Sequence, residues 1–163
     1  MECRALRRVI IGAPLREAII APRDTHSRIY AAAGRYSEAA DVLLDIPAGI
    51  LLSGVVEEAA RLLRTAPATS ASAQTLPRLG YLEFVYLYIG APERALEWYE
   101  ASAEASYWGP GLTAALWHPS YAALRKTERF TTLMRKAGLV DYWRSKAWPE
   151  FCRPVGSDDF VCD

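Results

Sequence analysis

The sequence predicts an all-α protein built from antiparallel helix hairpins that stack side by side. Hydrophobic residues make up 52% of the chain, mostly Ala, Leu and aromatics, and this mixture favours closely packed helices. Apolar residues recur at the spacing of one helix face in several segments. Val, Ile and Thr do not gather into alternating runs, so the signal for strands is weak. A length of 163 residues indicates one domain, 1–163, with a core of its own.

The N-terminal region contains several helix breakers and predicts three short helices. Gly12 and Pro14 are expected to end the first helix, and Pro22 the second. Asp24 or Thr25 would then cap a third helix through the segment HSRIYAAA. Gly34 closes that helix, because glycine enters the left-handed conformation at little cost.

The next two segments have a clear helical period. The segment YSEAADVLL carries an apolar stripe at i, i+3, i+4, i+7 and i+8, formed by Tyr36, Ala39, Ala40, Leu43 and Leu44. Another helix is predicted from about Val55 to Arg64. The small, polar stretch at about 65–75 then reads as a flexible loop between two helical halves.

The second half begins with a long apolar helix, predicted from roughly Leu76 to Ile89 and ended by Gly90. Because this segment is apolar around most of its circumference, it must be covered on two sides. Pro92 and Glu93 suit the first turn of the helix that follows.

Polar caps and glycines divide the C-terminal third into short helices. Ser120 and Thr127 are predicted to cap one helix each, and Gly138 to end the second. A last helix is expected over Leu139–Ala147, and the tail 149–163 is expected to be docked or loose.

The chain also contains a degenerate internal repeat. The segments IYAAAGRYSEAADVL and VYLYIGAPERALEWY align when Gly34 is placed on Gly90, 56 positions away, and this also aligns Tyr30 with Tyr86. Each copy reads as a helix, a tight glycine turn and a second helix. One such hairpin cannot bury its apolar faces alone, so neighbouring hairpins must stack into a solenoid.

This pattern resembles the tetratricopeptide repeat (TPR), with its Tyr–x3–Gly–x–Tyr–x–Glu–Ala signature. The first copy carries the resemblance on Tyr30, Gly34, Tyr36, Glu38 and Ala39, and the second on Tyr86, Gly90, Glu93 and Ala95. In the second copy Pro92 replaces the aromatic and Arg94 replaces the acid. The resemblance implies an irregular TPR-like α-solenoid.

The block at about 112–148 is similar to the closing segment of TPR regions in bacterial adenylate/guanylate cyclases and winged-helix transcriptional regulators. The matching residues are Trp117, Pro119, Leu124, Arg125, Arg129, Phe130 and Gly138. This resemblance implies a C-terminal capping block in the final part of a larger bacterial signalling or transcription protein. Fold resemblance alone does not establish that role.

Composition argues against several classes of function. Nineteen basic and nineteen acidic residues cancel, whereas a direct nucleic-acid binder usually carries surplus positive charge. No apolar run of about 18 residues is present, so neither a membrane span nor a membrane partner is expected. Cys152 and Cys162 could pair across ten residues, but with Cys3 the count is odd, and reduced thiols in the cytoplasm are the preferred interpretation.

No residue constellation predicts catalysis, so the chain is not expected to be an enzyme. His26 and His118 are the only histidines, and neither is spaced for a metal site with other ligands. The sequence contains no phosphate-binding glycine loop, and adjacent acids such as Glu57 and Glu58 diverge on a helix. We therefore expect no cofactor and no metal.

The favoured hypothesis is a protein- or peptide-binding regulatory module. Most aromatics are expected in the core between repeats, but Tyr81 and Tyr88 are predicted to reach the binding groove. Arg125 and Arg129 lie in a locally basic segment, which is either a solvated helix face or a site for an acidic partner. Two alternatives stay open: a small-ligand sensor with an aromatic pocket between helices, and a structural self-association module that forms a homodimer.

Overall fold

The structure, a computed structural model, describes residues 3–67, 75–105, 114–157 and 159–163, with side chains from residue 18 onward. The described chain is mostly helical, which confirms the predicted helical class, and one small antiparallel sheet is added to it. The α-helices are α1 (Cys3–Ala32), α2 (Tyr36–Leu44), α3 (Val55–Arg64), α4 (Glu93–Glu104), α5 (Ala122–Arg125), α6 (Glu128–Lys136) and α7 (Leu139–Ser145). Two 3-10 helices cover Gly80–Leu87 and Pro119–Tyr121, and the strands are β1 (Cys152–Val155) and β2 (Asp159–Cys162).

The prediction of three short N-terminal helices is wrong, because α1 is one continuous helix of 30 residues. Pro22 removes the amide hydrogen that would bond to the carbonyl four residues earlier. The helix nevertheless continues, and in the same turn the Arg23 side chain donates to the carbonyl of Ile19 at 3.0 Å. Asp24, predicted as a cap, lies inside the helix and is buried.

The two aligned glycines form turns of the same geometry. Gly34 and Gly90 both have a φ of +75°, the left-handed conformation that ends a helix. After each glycine, the next backbone amide donates to the carbonyl of the aligned tyrosine, at 2.9 Å for Tyr30 and 3.1 Å for Tyr86. The internal repeat is therefore a repeat of turn structure as well as of residue types.

Helices α2 and α3 have the predicted bounds, Tyr36–Leu44 and Val55–Arg64. Their closest packing is through small residues, since Ala39 and Ala40 of α2 are completely buried. Leu44 departs from the predicted stripe, because 44% of it is exposed at the end of the helix. Helix α2 packs between α1 and α3.

The predicted α-helix from Leu76 to Ile89 is wrong in type and length, because the structure has a 3-10 helix over Gly80–Leu87, which we call the central 3-10 helix. Its backbone is non-helical at Leu82 (φ −93°, ψ 27°). The Tyr86 hydroxyl holds the preceding segment by donating to the carbonyl of Pro77 and accepting from the amide of Leu79 at 3.0 Å. These bonds replace the turn of α-helix that the apolar pattern predicted.

The C-terminal block begins with a cap that the sequence did not predict. The side chain of His118 accepts from the amide of Ser120 at 3.2 Å, so His118 and not Ser120 is the cap of the first short helix. Thr127 caps α6 as predicted, because its Oγ1 accepts from the amide of Phe130 at 3.2 Å. Gly138 separates α6 from α7 with a φ of +71°.

The tail is a docked hairpin in which β1 and β2 pair antiparallel. Its two buried cysteines, Cys152 and Cys162, lie opposite each other and form a disulfide, so the expectation of reduced thiols is wrong for this pair. Phe160 from the same face of the hairpin packs against Trp143 and Trp148, with ring centroids 5.7 and 5.8 Å apart. The disulfide closes the hairpin, and the contact between Phe160 and Trp143 anchors it to α7.

One hydrophobic core links the helical layers to the hairpin, from Ile20 on α1 to Phe160 on β2. In the described parts of the chain, no helix combines the length and apolarity needed to cross a bilayer.

Candidate functional site

The two tyrosines predicted to line a groove are both half-buried against the core. Tyr81 follows Gly80 at the start of the central 3-10 helix. The ring of Tyr88 lies 5.8 Å from that of Tyr36, and its hydroxyl is 2.9 Å from Oγ of Ser120. Tyr88 therefore fills the wedge between α2 and the C-terminal block, and a binding role for either tyrosine stays a prediction.

Arg125 does not lie on a solvated helix face, since only 4% of it is exposed. Its Nε donates to the main-chain oxygen of Asp163 at 2.8 Å, and its Nη1 donates to the carbonyls of Leu116 and His118 at 2.9 and 3.1 Å. The guanidinium also stacks on the ring of Phe151, 5.3 Å from its centroid. Arg125 thus ties the hairpin to the segment before α5.

Arg129 lines a surface cleft formed by described residues. We define the Arg129 cleft, about 500 Å³ in volume, by Gly90, Pro92, Glu93, Arg94, Glu97 and Arg129. The guanidinium forms a two-point ion pair with Glu100 of α4, at 2.8 and 2.7 Å. The hydrogen bonds to Glu100 raise the pKa of Arg129, so its charge is permanent but largely compensated.

A second cleft adjoins the first on α4. The Arg78 cleft, about 440 Å³ in volume, is lined by Arg78, Gly80, Tyr86, Arg94, Glu97 and Trp98 among others. Gly80 has a φ of +54°, and a Cβ there would lie 3.8 Å from the half-buried ring of Trp98, an ordinary van der Waals contact, so the backbone conformation and not space favours glycine. A cleft of this size, with apolar walls and a few polar groups, is typical of a binding site.

Arg94 and Glu97 form the wall that the two clefts share. Nη1 of Arg94 donates to Oε1 of Glu97 at 2.7 Å, and its Nη2 donates to the carbonyl of Leu76 at 3.1 Å. Arg78, in contrast, is exposed and makes no ion pair with any described residue. Glu93 of the Arg129 cleft is likewise exposed and makes no ion pair with a described residue, so the paired clefts carry one uncompensated guanidinium, beside an indole ring, and one uncompensated carboxylate.

A buried polar network, which we call the Arg28 cluster, lies behind these clefts. It joins four parts of the fold through Asp24, Arg28, Glu83, Tyr99 and Tyr121. Arg28 donates through Nε to Asp24 at 2.8 Å, through Nη1 to the Tyr121 hydroxyl at 2.7 Å and through Nη2 to Glu83 at 3.2 Å. Both tyrosine hydroxyls donate to Oε1 of Glu83, at 3.0 Å from Tyr99 and 2.7 Å from Tyr121.

Burial changes the protonation of this cluster. It raises the pKa of Asp24 to about 6, with a further increase from the charge of Glu83, against the opposing effect of Arg28. Burial and then Glu83 also raise the pKa values of Tyr99 and Tyr121, so both phenols stay protonated donors. The guanidinium of Arg28 lies 4.4 Å from the centroid of the Phe84 ring, which adds a cation–π contact.

The two histidines lie in different environments. His118 acts as a helix cap, and burial followed by Arg28 lowers its pKa. His26 is exposed on α1. Across the described residues, no group of three or more His, Cys, Asp and Glu side chains is arranged to hold a metal ion.

Sequence reasoning missed the residues that define the clefts and the buried cluster. Arg78 follows Pro77 at the edge of the predicted loop, and a lone arginine there carries no periodic signal. Glu83 did carry a signal, because it is the one charged residue in the apolar run LGYLEFVYLYIG. A charge in such a run must find a buried partner, and Arg28 is that partner.

Comparisons with family models, curated proteins and solved structures found no match for this chain. The resemblance to tetratricopeptide repeats and to the closing segment of cyclase and regulator proteins therefore stays a prediction carried by the quoted residues.

Proposed function

We propose that this chain is a protein-interaction module whose paired clefts on α4 bind an extended segment of a partner protein. The observation that carries the proposal is the common wall of Arg94 and Glu97, which makes the Arg78 and Arg129 clefts one continuous strip. Trp98 supplies apolar contact area at one end of the strip, and aromatic and Arg side chains are enriched in protein interfaces.

The TPR-like architecture that we propose is consistent with the packing order of the helices. Helix α2 packs on α1 and α3, and the central 3-10 helix packs on α3 and α4. The equal turn geometry at Gly34 and Gly90 supports two related hairpins within this order. In an irregular solenoid of this kind, a groove between neighbouring hairpins is a natural place for a peptide.

Charge indicates what the bound segment carries. Glu97 is paired with Arg94, and Arg129 is paired with Glu100. Among the described lining residues Arg78 and Glu93 stay unpaired, so the segment that fits best places a carboxylate at Arg78, an apolar side chain on Trp98 and a basic side chain at Glu93. A bacterial signalling or transcription protein as the wider context is part of the same proposal and depends on the resemblance. The disulfide between Cys152 and Cys162 speaks against the cytoplasm as its compartment, because disulfides are rare in cytosolic proteins.

A displayed library of random peptides of about 12 residues tests this function, because an extended peptide of this length, at about 3.3–3.6 Å per residue, exceeds the roughly 18 Å length of the 12-residue helix α4 that lines both clefts. We expect enriched peptides to contain an acidic residue next to an aromatic or aliphatic one. Arg78→Glu should weaken their binding at least tenfold by fluorescence polarisation, because a like charge then faces the carboxylate. Arg144→Glu on α7, the same change on an exposed side chain outside both clefts, should leave binding unchanged.

The two arginine variants decide the outcome. Equal affinity of the enriched peptides for Arg78→Glu and for the unaltered protein would remove the paired clefts as the binding site. Recovery of no enriched sequence at all would argue against peptide binding itself.

A small-ligand sensor is the second candidate, favoured by one observation. The two clefts have volumes of about 440 and 500 Å³, within the range of about 300–1,000 Å³ that is typical of small-molecule sites. A thermal-shift screen with carboxylated aromatic metabolites separates the two functions. Stabilisation that is lost in Arg78→Glu, without any enriched peptide, would favour the sensor. Light scattering over a range of concentrations tests the third possibility, self-association into a homodimer.

A further inference from the structure

The Arg28 cluster contains more negative than positive side chains. Asp24 and Glu83 are both buried carboxylates, exposed by 7% and 2%, and they share the single guanidinium of Arg28. If both acids were ionised, one uncompensated negative charge would lie in the core. A buried charge without a partner is costly, so a cluster of this composition favours taking up one proton.

Hydrogen bonding identifies the acid that takes the proton. Oε1 of Glu83 accepts from two tyrosine hydroxyls, and both of its oxygens face Nη2 of Arg28. Asp24 has one bond, from Nε of Arg28 to its Oδ2. Its Oδ1 is buried and has no hydrogen-bond partner among the described residues. The ionised form of Asp24 is therefore the less well stabilised of the two carboxylates.

The groups that face the cluster from neighbouring elements do not add a compensating charge. Tyr88 of the central 3-10 helix segment and Tyr99 of α4 have raised pKa values, chiefly because of burial, and stay neutral. Tyr121 of the C-terminal block behaves in the same way. His118 of that block has a lowered pKa, from burial and then the charges of Arg28 and Arg125, and so resists protonation.

The charged side chains on the two elements nearest Asp24 are also engaged or exposed. On α2, Glu38 and Asp41 form exposed ion pairs with arginines, and Asp45 is exposed. On α1 itself, Arg23 donates to a backbone carbonyl and His26 is exposed. Among the side chains that the structure describes, Arg28 is therefore the cation that faces Asp24, and it is shared with Glu83.

We propose that the protonation state of Asp24 controls how firmly α1 is attached to the rest of the fold, and we call this device the lock. Protonated Asp24 leaves α1 attached, and ionised Asp24 weakens the attachment. The lock acts on α1 because Arg28, its partner in the same helix, reaches out to Glu83 and Tyr121. The next fixed point along the helix is Ser27, whose hydroxyl donates to the carbonyl of Ala39 at 2.9 Å. This inference is independent of the peptide-binding proposal.

The direction of the pH effect follows from the two pKa values. The pKa of Asp24 is about 6 in the folded chain and 3.8 in the ordinary, unfolded environment. The folded state therefore binds the proton more tightly, and the stability that Asp24 contributes is complete below the unfolded pKa and is lost as the pH rises through the folded pKa. Between about pH 5 and about pH 8, this loss amounts to about a tenfold fall in the ratio of folded to unfolded protein.

Two measurements on the full chain test the lock. The carboxyl carbon of Asp24, followed by NMR, should titrate near pH 6, whereas a midpoint near the ordinary value of 3.8 would overturn the proposal. Urea unfolding gives the folded-to-unfolded ratio of the unaltered protein and of Asp24→Asn at each pH. The first ratio divided by the second should fall about tenfold from pH 5 to pH 8. A relative ratio that stays constant over this range would also overturn it.

A control variant and a local readout complete the test. Asp45→Asn removes an exposed carboxylate, so the stability difference from the unaltered protein should not change with pH in the same range. Amide hydrogen exchange, corrected for its intrinsic pH dependence, should show protection of α1 falling from pH 5 to pH 8 more than that of α6. If α1 and α6 lost protection equally, the effect would be global and the lock on α1 would be refuted. The NMR titration needs no variant, so it decides the protonation step even if Asp24→Asn does not fold.

Discussion

Removal of the Cys152–Cys162 disulfide is the perturbation whose effect can be calculated most directly. The bond joins residues ten positions apart in a hairpin that docks on α7. A crosslink that closes a loop of this size lowers the conformational entropy of the unfolded chain. This raises the free energy of the unfolded state by about 3 kcal/mol at room temperature. Replacing both cysteines by alanine should lower the free energy of unfolding by that amount. The measurement is best made in a Cys3→Ala background, so that no third thiol can exchange.

Urea unfolding followed by tryptophan fluorescence is the suitable assay, because Trp143 and Trp148 contact Phe160 of the hairpin. With a urea dependence of about 2 kcal/mol per molar, the midpoint should fall by about 1.5 M. Chemical reduction of the Cys3→Ala parent should give the same fall. The variant without either hairpin cysteine should not respond to the reductant.

Three results would refute this reasoning. A shift below about 0.3 M would mean that the crosslink does not restrict the unfolded chain as the loop-closure argument requires. A reductant effect on the variant that lacks both cysteines would point to a different reducible group. A free-thiol count of two in the oxidised Cys3→Ala parent would show that the pair is not bonded.

Three further substitutions have expected costs that urea midpoints can check. Arg125→Met should destabilise the protein by about 3 kcal/mol, because three backbone oxygens lose a charged donor inside the fold; a cost below about 1 kcal/mol would contradict this. Gly34→Ala should cost about 1 kcal/mol through its left-handed backbone alone, since a Cβ there would meet nothing within 4 Å; an unchanged midpoint would argue against the φ of +75°. Thr127→Ala should cost about 1 kcal/mol as the loss of a helix cap, and Thr127→Ser should restore most of it; failure of serine to do so would point to packing of the methyl group instead.

Local signals were sufficient to predict the parts of the fold that depend on local interactions. Helix α3 begins and ends at the residues predicted from its apolar period and its charged face. Thr127 caps α6 because its hydroxyl needs only a neighbouring backbone amide as its donor. Gly34 and Gly90 were recognisable because a left-handed turn strongly favours glycine. Each of these features is decided within a few residues of the chain.

The features that were missed depend on contacts between distant residues or on competing local bonds. Pro22 would break an isolated helix, but α1, which packs against α2, continues through it. The central 3-10 helix forms because the Tyr86 hydroxyl occupies the backbone groups of the preceding segment. His118, and not Ser120, caps its short helix, because the imidazole of His118 accepts a hydrogen bond from the amide of Ser120, two residues later.

The candidate site was harder to predict than the fold. Arg125 and Arg129 look alike in sequence, four residues apart in one basic segment, yet one is buried and the other lines a cleft. Which of them meets solvent depends on the hairpin, whose residues follow some 25 positions later and were expected only as a tail. Arg28 gave no signal, because its partners Glu83 and Tyr121 are 55 and 93 positions away.

The burial of the central 3-10 helix determines which changes this protein can accumulate. An ordinary surface helix offers a tolerant position every three or four residues, where almost any polar residue serves. Here the five consecutive residues from Leu82 to Tyr86 are all buried, so this stretch has no outward face. A saturation library across it should show uniform intolerance without helical periodicity, and homologous chains should diverge around the stretch sooner than within it.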